Sequence, residues 1–224
     1  MAIQYIDIHT HKVSRFKNNF SIFNHRLKRF KQFIYPKSPF SFGIHPWDIK
    51  EASDINILDN IKNDSELYAI GECGFDKNIN IPFSVQTDIF IKHIEMSEQF
   101  QIPLIIHSVG YFNEIMDFIK EHQPTQKWII HGFMGHPRLA NQLVEAGLML
   151  SFGKTIFDKD SKSKDSLIST PNDAFFLETD ENTKIIDDIY LRAAEIKKMT
   201  VEEMQKVIFE NFRRVFKSEK FNQN

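Results

Sequence analysis

The chain has 224 residues, a length that suits one α/β barrel and is enough to bury a large core. Its 28 Lys and Arg stand against 30 Asp and Glu, a net charge of −2, so bulk charge gives no argument for nucleic-acid binding, although a local basic patch is compatible with it. The single cysteine, Cys73, rules out an internal disulfide, and no apolar run approaches the roughly 20 residues of a membrane span.

Strand-like sequence begins at residue 3, which leaves no signal peptide before it. Together with the lone cysteine, this gives the expectation of a reducing compartment, the cytoplasm. Apolar runs of strand length follow at 3–8, 20–23, 40–45, 67–72, 104–107, 128–131, 148–152 and 175–179, eight in all. Several are apolar on both faces, as parallel strands covered by helices are.

Helical patterning occupies the later intervals. One helix is expected from Pro82 to about Phe100, with Phe90 and Ile94 on one face, and a second over 111–121. A third starts at His136 and Pro137 and stops at Gly147. Thr200 with Glu203 forms a capping box that opens a helix to about Phe216. The polar stretch 158–169 reads as a loop or weak helix. Strand–helix alternation predicts a parallel α/β barrel of the TIM type. In the first third the intervals are too short for full crossovers, so the first helix is expected to be missing or reduced to a loop. No repeat, low-complexity tract or linker divides the chain, so residues 1–224 read as one domain.

The ends of these runs carry the chemistry. His9 and His11 lie two apart at the end of the first strand and face one way, with Asp7 placed to ligate or to orient a ring. Glu72, His107, His131 and Asp180 fall at four later strand ends, and in a barrel all of these converge on one mouth. Four imidazoles and two carboxylates suit one or two divalent ions such as zinc, manganese, nickel or magnesium. A carboxylate between histidine groups can bridge two ions, and a strand-end aspartate can take a proton from water. Each residue alone also has a plain structural role open to it: a hydrogen-bonded histidine, an ion-paired glutamate or, for Asp180, a helix cap. Cys73 faces the helix layer and reads as packing.

Motifs running the length of the chain resemble the TatD-type metal-dependent hydrolases of the amidohydrolase superfamily. They are Asp7 to His11, Gly43-Ile44-His45-Pro46-Trp47, the run from Ala69 through Gly71-Glu72 to Asp76, Gln86 to Phe90, Ile102 to His107-Ser108, Ile130-His131 to Gly135, Leu177-Glu178-Thr179-Asp180, and Asn211 to Phe216. The resemblance implies a TIM-type barrel with two divalent ions. His9, His11 and Asp180 would hold one and His107 and His131 the other, with Glu72 bridging and Asp180 also acting as the base. It implies a hydrolase, in many members a deoxyribonuclease and often a 3′-to-5′ exonuclease, with DNA as substrate. His45 would lie on the substrate side or support a ligand without being one; as a turn histidine it could equally bond backbone.

The chain departs from the pattern at Val109, where an arginine usually follows His-Ser, and at Glu181-Asn182, where a proline usually follows Asp180. These departures leave room for a hydrolase of another ester or amide, or for a barrel that keeps its metal and only binds. A histidinol-phosphatase-type reading would require an Asp-x-His pair that Asp180 to Asn182 does not supply. Two basic stretches could make up for the missing cation: Arg26, Lys28, Arg29, Lys31 and Lys37, and Lys154, Lys159, Lys162 and Lys164. Phe157 and Tyr111 are candidate base-stacking rings.

Overall fold

All eight expected strands form, and in the computed structural model, which describes residues 5–12, 19–26, 35–181 and 183–216, they pair in parallel in sequence order. They are β1 (Tyr5–Thr10), β2 (Asn19–Arg26), β3 (Phe40–Gly43), β4 (Leu67–Asp76), β5 (Leu104–Val109), β6 (Trp128–Ile130), β7 (Met149–Phe152) and β8 (Phe175–Leu177). The reason is visible in β5, where Leu104, Ile105 and Ile106 are all fully buried, one face in the barrel and the other under helices.

The last strand returns to the first. Thr10 and Asp180 form a parallel bridge, Asp180 N donates to His9 O at 2.9 Å, and His11 N donates to Asp180 O at 3.2 Å. Closure therefore carries Asp180 to His9 of β1 and to His11 just beyond it. Below this bridge the seam is completed by a side chain: the Tyr190 hydroxyl donates to Ile6 O and accepts from Ile6 N, both at 3.0 Å.

Among the described residues six α-helices cover the sheet: α1 (Phe83–Phe100), α2 (Phe112–His122), α3 (Pro137–Glu145), α4 (Ser163–Ser169), α5 (Ile186–Lys197) and α6 (Val201–Phe216). Among the described residues no α-helix precedes Phe83; β3 and β4 are joined by 3₁₀ turns at Pro46–Asp48 and Ala52–Asn60. Only residues 11–18 separate β1 from β2. The capping box of α6 is present, with Glu203 N on Thr200 Oγ1 and Thr200 N on Glu203 Oε2. Phe90 of α1 packs among Phe75, Phe118 and Trp128 at ring distances of 4.7–5.7 Å, and such fully buried side chains contribute about 1.5–3 kcal/mol each.

Two details differ from the sequence expectation, and one alternative that it left open is decided. β4 runs four residues past Glu72, to Asp76. Half of the polar stretch 158–169 is the helix α4, because its serines find backbone acceptors: Ser163 Oγ donates to Phe133 O at 3.1 Å and Ser166 Oγ to Gly135 O at 2.6 Å. The helix α5 was not anticipated; its buried stripe of Ile186, Ile189, Tyr190, Ala193 and Ala194 has helical spacing, but two small residues weaken the signal. Among the described residues no helix is long and apolar enough to cross a membrane.

Candidate metal centre

The barrel brings all six expected ligands to one end. His9 and His11 come from the end of β1, Glu72 from β4, His107 from β5, His131 from just beyond β6, and Asp180 from three residues beyond β8. Glycines on β4 permit the convergence. Gly71 has φ +133° and Gly74 φ +130°, and a Cβ on either would overlap a carbonyl of β5, that of Ile105 or of His107. Those two positions let β5 lie close enough for His107 to reach Glu72.

Glu72 is the hub. Its Oε1 meets three imidazole nitrogens: His131 Nε2 at 2.8 Å, His45 Nε2 at 3.0 Å and His107 Nδ1 at 3.1 Å. Its Oε2 faces His9 Nε2 at 3.5 Å and His11 Nε2 at 3.6 Å, and both of these rings also face Asp180 Oδ1, at 3.7 and 3.4 Å. Burial alone would raise the Glu72 carboxyl. The imidazoles of His131, His107 and His11 outweigh it and hold the group well below the usual carboxylate range. Burial would likewise lower His131, but Glu72 and Glu178 raise it well above an ordinary histidine.

The donor set fits divalent ions on two observations. Ligands about 2.0–2.2 Å from one ion stand roughly 3–3.5 Å from each other, and the separations among His9, His11, Glu72 and Asp180 are of this size while being long for hydrogen bonds. His9 is fully buried, yet neither of its ring nitrogens has a hydrogen-bond partner. A buried imidazole left so is costly, and an ion at Nε2 would relieve that one of its two nitrogens.

Two carboxylates absent from the expected ligand set orient the rings. Asp76 Oδ2 takes His107 Nε2 at 3.2 Å, and Glu178 Oε1 takes His131 Nδ1 at 3.4 Å, leaving the opposite nitrogen of each ring toward Glu72. Strand parity carried a signal for both: Asp76 lies four residues beyond Glu72, and Glu178 two before Asp180. Asp76 is held in turn by the Trp47 indole, Nε1 to Oδ2 at 2.7 Å, and by Gln86 of α1. Gln86 Oε1 accepts from Asp76 N at 2.9 Å, and its Nε2 donates to Asp76 O at 3.2 Å.

His45 supports Glu72 and is not free to ligate. Its Nδ1 accepts from Trp47 N at 3.0 Å, so the ring proton sits on Nε2 and is donated to Glu72. Of the three roles expected for it, on the substrate side, in support of a ligand and as a turn histidine, these contacts fill the last two. Burial lowers its pKa, and the nearby charges of His107 and Arg26 act in the same direction against Glu72. Asp7 neither ligates nor orients a ring. Its carboxylate accepts from Thr179 N at 3.1 Å, Thr179 Oγ1 at 2.6 Å and His9 N at 3.4 Å, tying β1 to the segment that carries Asp180.

The family model described as TatD related DNase matches residues 9–217. The chain belongs to this family. Among its TatD-related relatives, YabD of Bacillus subtilis (strain 168), named an uncharacterized metal-dependent hydrolase, is 26% identical over 203 residues, 83% of this chain and 78% of its own. YcfH of Escherichia coli (strain K12), named likewise, is 26% identical over 193 residues, 79% of this chain and 73% of its own. The crystal structure of YjjV, a TatD homologue from Escherichia coli K12, matches with a TM-score of 0.81 over 97% of this chain and 99% of that one, at 19% identity, a likeness of fold.

Within this TatD-family barrel the expected cationic stretches divide. Arg26 ends β2 and pairs with Asp48, Nε to Oδ2 at 2.8 Å; Lys37 is exposed; Lys28, Arg29 and Lys31 lie outside the described residues. Lys154, Lys159, Lys162 and Lys164 are all exposed. Asn182 is likewise outside the described residues. Of the two candidate stacking rings, Tyr111 is already stacked on Phe83 at 4.7 Å, and Phe157 lies under the Lys184 ammonium at 4.2 Å. Cys73 is buried as expected, its thiol on Ile105 O at 3.8 Å, and burial pushes that thiol well up.

Proposed function

We propose that this TatD-family chain is a divalent-metal-dependent hydrolase that cleaves phosphodiesters of DNA, with His9, His11 and Asp180 holding one ion, His107 and His131 a second, and Glu72 between them. The observation that carries this is the division of Glu72, Oε1 toward one set of imidazoles and Oε2 toward the other. The relatives' names, metal-dependent hydrolases, and the family's description agree with it. Ions bound there supply a water of lowered pKa and draw charge from a phosphoryl oxygen.

The chain's own residues do the rest. Glu72, almost fully buried and held ionised, supplies fixed negative charge between the two imidazole sets. Asp180 is the more open carboxylate, its side chain 33% exposed against 4% for Glu72. It can take the proton of the attacking water and pass it to solvent. Asp76 and Glu178 keep His107 and His131 in one tautomer and one orientation, so the centre is preorganised. We place this activity in a reducing compartment, the cytoplasm, with Cys73 as a free buried thiol.

The test is nucleotide release from end-labelled single-stranded DNA by protein stripped of metal and reloaded with magnesium, manganese or zinc, alongside Glu72→Ala and Asp180→Ala. Laddered products from the wild type alone, with two ions bound per chain, are expected. Full activity in Glu72→Ala would overturn the two-ion arrangement. Inert DNA with turnover of a carboxyl ester or amide would assign the centre to that substrate class.

A further inference from the structure

The chain has two tryptophans in opposite environments. Trp128 is 1% exposed beneath α1, whereas Trp47 is 59% exposed beside the metal centre. A lone exposed apolar side chain is ordinary. Trp47 is unusual in being fixed. Its Nε1 donates at 2.7 Å to Asp76, a buried carboxylate whose backbone is clamped on both sides by Gln86. Its ring lies edge-on to His45 and His107, with centroids at 5.0 and 5.9 Å. The indole cannot swing away without leaving Asp76 short of a donor, so a rigid aromatic surface is presented to solvent within one ring's width of two histidines of the centre.

Arg26 lies over one face of the indole, so the face left for a base is the other. Its guanidinium carbon is 5.8 Å from the Trp47 ring centroid. The ion pair with Asp48 runs through Nε, and among the described residues no other ion pair engages its two terminal nitrogens. A planar apolar surface adjoining a forked cation is complementary to a planar ring joined to a phosphate. Stacking is indifferent to which base is present, and Arg pairs with phosphate oxygens two at a time.

We propose that Trp47 and Arg26 form a nucleotide subsite beside the metal centre, with a base stacked on the indole and a phosphate on the terminal nitrogens of Arg26. This deepens the phosphodiesterase reading and rests on it for the link to turnover, but the binding itself does not depend on catalysis. Arg26 provides the cation at the mouth that Val109 does not.

Thymidine 5′-monophosphate titrated into the metal-loaded protein tests this by tryptophan fluorescence, since Trp128 is shielded and Trp47 is not. Saturable quenching is expected, with none from 2-deoxyribose 5-phosphate at the same concentration. In calorimetry, Trp47→Ala should weaken binding by about tenfold, the scale of one lost stacking contact. Trp47→Phe, which keeps a ring but removes the donor to Asp76, should retain most of the affinity, and Arg26→Met should weaken both ligands. Absence of quenching overturns the subsite. So does equal loss in Trp47→Ala and Trp47→Phe, which would make Trp47 a positioning residue acting through Asp76. Nucleotide binding without DNA cleavage would instead count against the phosphodiesterase reading alone.

Discussion

At the residue scale, the centre depends on which nitrogen of each histidine is committed. His107 and His131 each spend one nitrogen on a carboxylate outside the ligand set and turn the other to Glu72. His45 spends both, one on backbone and one on Glu72. Asp76 carries most in this scheme, because one of its oxygens receives both His107 Nε2 and Trp47 Nε1 while the other caps Asn78 N at 2.8 Å. Burial would raise its pKa, but the bonds from Asn78, Trp47 and His107 lower it, so it is ionised and ready to accept. Asp76→Asn removes the charge and half the acceptor capacity with little change in volume. Metal affinity should fall roughly 10–100-fold, as it does when partners behind metal-bound histidines are lost, with the far-ultraviolet spectrum unchanged. A competition titration against a chelator measures it. Affinity equal to wild type would show that His107 needs no orienting carboxylate.

At the element scale, helices do more than cover the sheet. Helix α1 sends two buried polar side chains to the strands, Gln86 to the backbone of Asp76 and His93 to that of Ile44, whose N–H donates to His93 Nε2 at 3.0 Å. One helix thereby sets the height of both the β3 turn, with His45 and Trp47, and the end of β4. Helix α5 completes the β8–β1 seam through Tyr190. Tyr190→Phe leaves the ring in place but strips a partner from both the N–H and the C=O of buried Ile6. It should cost about 1–3 kcal/mol, seen as a lower urea midpoint at unchanged slope. A midpoint within error of wild type would show that the seam does not depend on the hydroxyl.

At the scale of the whole molecule, the barrel's stability is tied to pH through a group away from the mouth. His93 is fully buried, donates from Nδ1 to Ile89 O at 2.7 Å and accepts at Nε2. Burial pushes its pKa down from 6.5 to about 4, with the Ile89 bond opposing. The folded state therefore refuses a proton that the unfolded chain accepts below about pH 6.5, and stability falls as pH drops from there toward about 4. Between pH 7 and pH 5.5 this single group should cost roughly 1 kcal/mol. Urea midpoints of wild type and His93→Gln, compared at the two pH values, isolate the term: the wild type should lose more. Equal losses would mean that His93 titrates alike in the folded and unfolded states.

The sequence by itself determined the strand count and the six side chains that the barrel gathers at one end. These are properties of period and position: apolar runs of strand length alternate with helical stripes, and alternate side chains at the C-terminal end of a parallel strand face the barrel mouth. The same logic reached Phe90, Ile94 and the capping box of α6, all local patterns. It did not reach α5, whose alanines dilute the stripe, and it left the Ser-rich stretch 158–169 open between loop and weak helix, because the hydroxyls of Ser163 and Ser166 find acceptors in the loop after β6. Only the tertiary structure decided what lies behind and beside the ligands. Asp7 binds Thr179 and not a ring because closure places residues 172 apart in contact. Asp76 and Glu178 become supports for His107 and His131, and Trp47 becomes a fixed exposed surface beside Arg26, because the ends of β2 to β5, and those of β6 and β8, lie close together on one rim. Such pairings depend on distances across the barrel, which no spacing along the chain records.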